Sequence, residues 1–312
     1  MLSQQLRSTL LSSLESRVML FDEPMRKHTS FRIGGPAEAL IIPNNEEDLR
    51  QLLGLASQNS IPVTIIGAGT NLLVSDHGIA GIVIKMTDCF SNIDISEQQV
   101  IAGAGCSLPT LSRLTADGGL TGLEFAVGIP GALGGAVVIN AGAHGAAIGN
   151  FVTAVKVINF RGEPAELTKD NLNFGYRKSE LQNKDMILLS VTLELEKGNA
   201  GEIKEKMREY LQQRRAKQPL NLPSAGSIFK NPEGDYAGRL IEACGCKGMS
   251  IGDAQVSELH ANFIVNKGNA TAQDVLRLMN NVRKIVFKKY GIKLEPEINI
   301  IGKGIRLSDE KL

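Results

Sequence analysis

Apolar residues recur at two different spacings along the chain, and the spacings separate helices from strands. A helix over about 45–57 is predicted by apolar residues that share one helical face, namely Leu49, Leu52, Leu53 and Ala56. Acidic residues at its start suit the positive end of the helix dipole. Further helices are predicted over about 1–20, over 201–217, and from a capping-box sequence at Thr271 to a stop at Gly291.

Shorter apolar runs, bounded by glycine, proline or polar residues, predict strands. They cover about 39–42, 63–66, 81–86, 100–102, 151–160, 186–195 and 294–301. In the last run residues alternate, so Glu295 and Glu297 share one face of the predicted strand. The composition changes to a charged helical stretch near 200–220, which predicts a domain boundary there.

The stretch from Gly128 to Gly145 contains six glycines beside the apolar run Ala136–Ile139. Glycine allows a positive φ angle and a close approach of the backbone to another group. Such a cluster indicates a ligand whose polar groups meet main-chain N–H groups, and a phosphate-bearing cofactor is the natural candidate. The alternative is a turn-rich region in an ordinary core.

A second glycine turn follows the predicted strand at 63–66 and reads GAGTNLL over 67–73. A Rossmann fingerprint needs glycine at position 72 and a helix after it, whereas this chain has Leu72 and then more strand. The ordinary nicotinamide-binding fold is therefore disfavoured. The turn still offers consecutive N–H groups to a pyrophosphate, with the Thr70 and Asn71 side chains beside them.

The composition of the chain indicates which partners, metals and cellular location to expect. The 312 residues are enough for two or three compact units, and 34 Lys and Arg against 33 Asp and Glu leave a net charge of +1. We therefore expect no nucleic-acid or membrane partner and no obligate protein partner. The four cysteines and four histidines show no disulfide or metal-binding pattern, so no protein-bound metal is expected. Without a signal-like apolar run, a cytoplasmic protein is expected.

Seven motifs, taken in order, resemble those of the UDP-N-acetylenolpyruvoylglucosamine reductase (MurB) family over nearly the whole chain. They are TSFRIGGP (29–36), GAGTNLL (67–73), GIPG to NAG (128–142), YRKS (176–179), GSIFKNP (226–232), HANFIVN (260–266) and EPE (295–297). The chain is similar to the shorter, type II branch, because it lacks the long insertion with a substrate-binding tyrosine that the other branch carries.

The resemblance implies an α+β protein with the vanillyl-alcohol-oxidase-like (PCMH-type) FAD-binding fold of two subdomains plus an α+β substrate-binding domain. The expected divisions are an N-terminal helix at 1–20, FAD-binding subdomains at 21–86 and 87–202, and a substrate-binding domain at 203–312. It also implies noncovalent FAD, NADPH as cosubstrate and a UDP-sugar substrate. The chain departs from the family at His144, where the family commonly has tyrosine.

The implied reaction transfers a hydride from NADPH, by way of FAD, to the terminal carbon of the enolpyruvyl ether. Arg177 would grip the substrate carboxylate, where negative charge develops. Ser227 would protonate the adjacent carbon, and Glu297, with a raised pKa, would donate a hydrogen bond to the same carboxylate. Without the resemblance, these residues read as a surface arginine, a turn serine and a solvent-facing carboxylate.

The resemblance also implies the binding residues. Those expected at FAD are Arg32, Gly67, Ala68, Gly69, Thr70, Asn71, Leu72, Gly128, Ile129, Pro130, Gly134, Gly135, Asn140 and Gly142. Those expected at the nucleotide sugar are Lys217, Asn231 and Gln255. Two other functions stay open from the sequence: an oxidase of the same flavin-binding superfamily, and a catalytically silent nucleotide-sugar binding protein.

Overall fold

The computed structural model of the protein describes residues 2–14, 18–183 and 185–307. Its α-helices are α1 (Gln4–Ser13), α2 (Glu46–Gln58), α3 (Leu108–Asp117), α4 (Leu133–Val138), α5 (Lys169–Leu172), α6 (Ala200–Lys217), α7 (Ala237–Ala243) and α8 (Ala272–Tyr290). None of the helices within these ranges is long and apolar enough to cross a membrane.

The strands are short and are distributed along the whole chain. They are β1 (Val18–Pro24), β2 (Pro36–Ile42), β3 (Val63–Ile66), β4 (Leu72–Val74), β5 (Ile79–Lys85), β6 (Ile93–Ser96), β7 (Gln99–Gly103), β8 (Leu120–Thr121), β9 (Gly142–Ala143), β10 (Ala146–Ala147), β11 (Val152–Asn159), β12 (Pro164–Thr168), β13 (Met186–Glu194), β14 (Glu196–Lys197), β15 (Ser224–Ser227), β16 (Ser250–Ile251), β17 (Ala254–Val256), β18 (Phe263–Asn266) and β19 (Asn299–Ile301).

The chain forms two compact units, each assembled from three separate stretches of sequence. Unit 1 comprises Met1–Phe21, Ala39–Ala68 and Gly81–Arg214. Unit 2 comprises Asp22–Glu38, Gly69–Ala80 and Arg215–Leu312. Both contain helices and strands, which confirms the expected mixture of α and β structure.

One sheet, which belongs mainly to unit 1, has the strand order β1-β2-β5-β3, in which β3 and β5 run parallel with Val63 opposite Ile82. Helix α2 buries the apolar face predicted from the sequence in a cluster that also contains Ile82 and Ile84. The Asn45 side chain accepts a hydrogen bond from Asp48 N at 3.0 Å and so caps the helix. The prediction of this helix is confirmed.

The second sheet of unit 1 is antiparallel, with the strand order β12-β11-β13-β7-β6. Its inner face packs against α3 and α4 in a single apolar cluster. Helix α4 lies at the end of β7. Gly134 N of the helix donates a 2.8 Å hydrogen bond to the carbonyl oxygen of Ala104, the residue that follows this strand. The glycine-rich segment singled out above is thus placed beside this sheet edge.

In unit 2, an antiparallel sheet of order β15-β18-β17-β16 shares a core with α7 and α8. Helix α8 begins with the predicted capping box, in which Thr271 and Asp274 exchange two hydrogen bonds of 3.0 Å. It ends at Gly291, whose φ of 70° is left-handed. At the start of α8, the Asp76 carboxylate accepts two further hydrogen bonds, from Ala272 N at 2.9 Å and from Gln273 N at 3.2 Å.

Two predicted elements differ from the structure. The N-terminal helix, predicted to about residue 20, ends at Ser13, and β1 begins at Val18; Met1 and 15–17 lie outside the described residues. The C-terminal strand, predicted from Leu294, is limited to Asn299–Ile301. Pro296 has no N–H to donate to a neighbouring strand, and it forms an isolated bridge with Phe229 instead.

Candidate active site

Ser227 lies at the end of β15, directly after a backbone turn at Gly226. Gly226 has a φ of 78°, which only glycine adopts readily. Ser227 pairs with Phe263 of β18, so its backbone is fixed by the sheet. Its hydroxyl makes no hydrogen bond with any other residue that the structure describes. The side chain instead lines a pocket with a volume of ≈ 470 Å³.

The pocket lies within unit 2 and combines polar and apolar side chains. Its lining residues are Ser227, Asn231, Tyr236, Gly238, Arg239, Glu242, Leu259, His260, Ala261 and Asn262. Tyr236 and Leu259 are among the exposed large hydrophobic residues, at 69% and 50% exposure. A concave site with exposed aromatic and aliphatic surface and a few polar groups is typical of small-molecule binding.

His260 presents a defined hydrogen-bond donor to this pocket. Its Nδ1 accepts a hydrogen bond of 3.2 Å from Asn262 N, so the proton of the neutral ring is on Nε2. Burial lowers the pKa of His260, which keeps the ring neutral at neutral pH. Nε2 has no hydrogen-bond partner among the described residues. The ring is also held edge-on against Phe263, with centroids 4.9 Å apart.

The charged residues of the pocket wall are paired with neighbours. Arg239 donates through Nε to Asp235 Oδ1 at 2.7 Å and through Nη2 to the second carboxylate oxygen. Hydrogen bonding from Arg239, followed by the bond from Tyr236 N, lowers the pKa of Asp235 to about 2. Glu242 pairs with Lys247 at 2.6 Å. Among the neutral groups of the wall, the Ser227 hydroxyl and the His260 Nε2–H make no hydrogen bond with any residue that the structure describes.

The three expected substrate contacts differ in position. Asn231 lines the pocket, and its Oδ1 accepts from Ala237 N at 3.1 Å, which fixes the start of α7. Gln255 is half-buried on β17 and donates a hydrogen bond to Gly248 O at 3.2 Å. It does not line the pocket. Lys217 is exposed at the end of α6. Only Asn231 is brought next to Ser227.

Glu297 is placed beside Ser227 through the backbone. Its N–H donates to Ile228 O at 2.8 Å, and Lys230 N donates to Glu295 O at 2.9 Å, so the 295–297 segment runs along 228–230. Asn71 Nδ2 donates to Glu297 O at 3.1 Å from the other side. Glu297 is half-buried, whereas the Glu295 side chain is 70% exposed and lies 3.5 Å from Lys230 Nζ. These positions favour Glu297 over Glu295.

Arg177 lies in unit 1, on a two-residue turn with Tyr176. Gly175 and Lys178 close the turn with reciprocal backbone hydrogen bonds of 2.9 and 3.2 Å. Arg177 has a φ of 53°, which costs about 1–2 kcal/mol for a residue with a side chain. Its Nη2 donates to Gly142 O at 3.1 Å. The conformation is strained, as is common for residues at functional sites.

The first glycine turn has the features of an anion-binding loop. The N–H groups of Gly67, Ala68 and Gly69 donate no hydrogen bond to any residue that the structure describes. Gly69 has a φ of 68°, and a Cβ there would collide with His28 O. Asn71 and Leu72 lead into β4, and Thr70 is half-buried between them and the turn. Consecutive unpaired N–H groups fit the oxygens of a pyrophosphate.

The second glycine segment divides into packed and open positions. A Cβ on Gly134 would lie 2.9 Å from Ala104 Cβ, and one on Gly128 would lie 2.9 Å from Arg214 Cδ. A Cβ on Gly135 would meet nothing within 4 Å. The face of α4 that carries Gly135 is therefore open to a ligand. Together, this open face and the unpaired N–H groups of the 67–69 turn fit FAD as the cofactor.

The remaining expected cofactor residues are held mainly by the protein itself. Ile129 N donates to Ala126 O at 3.0 Å, and Pro130 follows it. Asn140 bonds with its side chain to Gly175 O and Gly149 N, and Gly142 begins β9. Arg32 is exposed with a φ of 55°.

His144, the departure noted in the sequence, lies at the tip of the β9–β10 hairpin. Its φ of 53° and the φ of 82° at Gly145 make this a two-residue turn with two left-handed residues. The His144 ring stacks on the Tyr210 ring of α6, with centroids 3.8 Å apart and planes at 8°. The imidazole is thus part of the packing of unit 1.

Sequence reasoning missed most of the pocket wall. Tyr236 directly precedes α7, and Arg239 and Glu242 lie on that helix. Leu259 and His260 come from the β17–β18 loop. No spacing rule connects these two regions, because only the fold brings them together. The HANFIVN motif was the available signal for His260.

Two family models match the chain. Residues 37–168 match the FAD binding domain, and residues 218–301 match the UDP-N-acetylenolpyruvoylglucosamine reductase C-terminal domain. The first match confirms the expected FAD-binding fold, and the second covers Ser227, Glu297 and the whole pocket.

Full-length relatives agree with these matches. A UDP-N-acetylenolpyruvoylglucosamine reductase of Caldanaerobacter subterraneus is 47% identical, with 93% of this chain and 95% of the relative covered. One from Clostridioides difficile is 44% identical, with 96% and 99% covered. The crystal structure of the Thermus caldophilus enzyme (MurB) superposes with a TM-score of 0.78 at 36% identity, covering 91% and 98% of the two chains. The chain therefore belongs to the UDP-N-acetylenolpyruvoylglucosamine reductase family.

Proposed function

We propose that this protein is an FAD-dependent reductase that converts UDP-N-acetylenolpyruvoylglucosamine to UDP-N-acetylmuramate, with NADPH as the hydride donor, in peptidoglycan precursor synthesis. The observation that carries the proposal is the Ser227 hydroxyl, which lines a pocket and makes no hydrogen bond with any described residue. The backbone of Glu297 is bonded to the next residue, Ile228. A proton donor and a carboxyl group on adjacent backbone suit a carboxylated alkene as substrate.

The N–H groups of Gly67, Ala68 and Gly69 would hold the pyrophosphate of noncovalently bound FAD, and the open face at Gly135 would lie against the cofactor. FAD, when bound, supplies the redox chemistry that links NADPH to the alkene. The protein's own contribution is to bind the substrate, to stabilise developing charge and to deliver a proton.

Arg177 would bind the carboxylate of the enolpyruvyl group. A guanidinium stays charged at all relevant pH values and can form two parallel hydrogen bonds with a carboxylate. Negative charge moves toward this carboxylate when the terminal carbon gains a hydride, so the interaction is stronger in the transition state than with the ground state. Glu297, in protonated form, would donate a hydrogen bond to the same group.

Ser227 would donate its proton to the carbon next to the carboxylate. A serine hydroxyl is a weak acid, but an enolate-like carbon is basic enough to accept its proton when the two are held close. The backbone pairing of Ser227 with Phe263 and the turn at Gly226 provide that fixed position. The absence of a hydrogen-bond partner among the described residues leaves the hydroxyl available.

The pocket beside Ser227 would receive the UDP-sugar. Asn231 and the Nε2–H group of His260 would donate hydrogen bonds to its oxygens, while the exposed surfaces of Tyr236 and Leu259 would contact its apolar faces. Lys217 and Gln255 would contact the nucleotide from outside the pocket. We expect the reaction to take place in the cytoplasm without a protein partner.

Anaerobic spectroscopy of the purified protein tests this function. We expect a yellow protein whose flavin absorbance is bleached by NADPH and recovers when the enolpyruvyl substrate is added. Bleaching by an alcohol substrate and recovery with oxygen, but not with the enol ether, would instead identify an oxidase. A protein that binds the UDP-sugar but cannot take up FAD would be a silent nucleotide-sugar binding protein.

A further inference from the structure

The turn that carries Arg177 is attached to one short segment of the chain, residues 138–142. Ser179 Oγ donates to Val138 O at 2.6 Å on the far side of the turn. Asn140 Nδ2 donates to Gly175 O at 2.8 Å on the near side. The Arg177 guanidinium itself reaches Gly142 O. The segment therefore fixes the turn before and after Arg177 as well as the side chain between.

The Asn140 side chain is fixed through both of its polar atoms. Its Oδ1 accepts a hydrogen bond from Gly149 N at 2.9 Å, which sets the amide so that Nδ2 faces Gly175 O. The residue is 8% exposed and has a left-handed φ of 46°. An aspartate in the same place would put an oxygen opposite the carbonyl oxygen of Gly175.

The surroundings leave no room for another arrangement. A Cβ on Gly149 would lie 2.8 Å from Asn140 Oδ1 and 2.6 Å from the Phe174 ring, so glycine is required where the amide is received. Ser179 is completely buried. Because Arg177 is in a strained conformation, its turn needs such external support.

We infer that Asn140 is a positioning residue, whose amide holds the Tyr176–Arg177 turn and thereby directs the Arg177 guanidinium at the substrate carboxylate. The inference rests on the proposed function of Arg177. Both polar atoms of the Asn140 side chain bond to protein backbone, at Gly175 O and Gly149 N, so we assign the side chain this role in place of the FAD contact that the resemblance implies. Its effect falls on the step in which the enol ether is reduced and not on the reduction of flavin by NADPH.

The test measures the two half-reactions separately in Asn140→Ala and Asn140→Asp, by anaerobic stopped-flow spectroscopy of bound flavin. We expect both variants to retain FAD, with flavin reduction by NADPH within about twofold of the parent. Reoxidation by the enolpyruvyl substrate should fall by about 100-fold, because a displacement of roughly 1 Å in a positioned group has this effect. Asn150→Ala is the matched control: its Oδ1 accepts a hydrogen bond from Ala147 N, within the same local turn, and both half-reactions should be unchanged.

A double-mutant cycle separates positioning from a merely structural role. In an Arg177→Ala background, Asn140→Ala should add less than about threefold to the loss, because its effect passes through the missing guanidinium. A full additional 100-fold loss, or an equal loss of FAD binding and of both half-reactions, would overturn the inference. If Arg177→Ala alone leaves reoxidation unchanged, the proposed role of Arg177 is wrong. This single variant therefore distinguishes a failure of the Arg177 role from a failure of the Asn140 inference.

Discussion

The backbone N–H of Glu297 donates a 2.8 Å hydrogen bond to the carbonyl oxygen of Ile228. This bond places Glu297 beside the residue that follows Ser227, although the two are far apart in sequence. It is one of several contacts along the 295–297 segment, which include a bridge between Phe229 and Pro296. The relative position of the proposed acid and carboxyl group is thus set by main-chain pairing, and side-chain substitutions should leave it intact.

Ser227→Ala should separate the two half-reactions. It removes the proposed proton donor, so product formation should fall by about 10²–10⁴-fold, while flavin reduction by NADPH continues. Ser224→Ala is the control, since Ser224 lies on the same strand but outside the pocket. Stopped-flow absorbance of the flavin measures both steps. Equal loss of the two steps in Ser227→Ala would reject the assignment.

His260→Phe should weaken binding of the UDP-sugar. The ring shape is largely kept, but the Nε2–H donor that lines the pocket is removed. Loss of one hydrogen bond is worth about 1 kcal/mol, so the dissociation constant should rise by roughly 5- to 10-fold. Titration of the oxidised flavoprotein with the UDP-sugar measures this change. An unchanged constant would show that His260 does not contact the ligand.

Gly135→Ala and Gly134→Ala should have opposite effects. The methyl group at 134 would press on Ala104, so this variant should lose about 1–3 kcal/mol of unfolding free energy. The methyl group at 135 meets no protein atom and should stabilise the apoprotein by up to about 1 kcal/mol. Its FAD affinity should nevertheless fall, because the methyl group occupies the face proposed for the cofactor.

Chemical denaturation of the apoproteins and FAD titration test this pair together. If Gly135→Ala binds FAD as well as the parent protein does, the cofactor does not lie against this face of α4.

Asp76→Ala should loosen the start of α8. The carboxylate accepts from the first two N–H groups of the helix, and removing such a cap costs about 1–2 kcal/mol. Hydrogen exchange at Ala272 and Gln273 should accelerate most. Asp94→Ala, an exposed aspartate on β6, is the control and should leave these amides protected. Uniform acceleration throughout unit 2 would indicate a general loss of stability instead.

Asp235 should remain ionised in acid. Hydrogen bonds from Arg239 and Tyr236 N lower its pKa from 3.8 to about 2, so the pair is intact above pH 4 or so and is lost as the pH falls through about 2. Carboxyl carbon NMR at about pH 3 should show mainly carboxylate. Arg239→Gln should move the titration toward 3.8. An unshifted midpoint would contradict the pairing.

Local sequence signals predict the helices that begin with capping residues. The wrongly predicted end of α1 is explained by strand pairing. Helices α2 and α8 carry capping residues at their starts, so their limits were predicted closely. In α1, leucines recur at every fourth position through Leu14, and Val18 continues the series, so periodicity alone gives no stop. The observed end at Ser13 reflects the start of β1, which pairs within a sheet.

The candidate site was predictable only where residues lie in compact motifs. The family resemblance pointed to Ser227, Arg177 and Glu297, but sequence alone does not reveal that the Asn140 side chain bonds to the Gly175 backbone. The pocket wall combines residues separated by about twenty positions; two family motifs indicate Ser227 and His260, but no sequence pattern connects the two stretches. Such information is present only in the folded chain.

The interleaved composition of unit 2 limits how this enzyme can be recombined. A gene fragment for the C-terminal third alone would lack β4, which pairs in parallel with β19, and Asp76, which caps α8. It would also lack Phe31, whose carbonyl oxygen receives Asn266 Nδ2 at 3.1 Å. Chimaeras between homologues should therefore exchange Asp22–Glu38 and Gly69–Ala80 together with Arg215–Leu312, because a single crossover leaves the graft without its native partners.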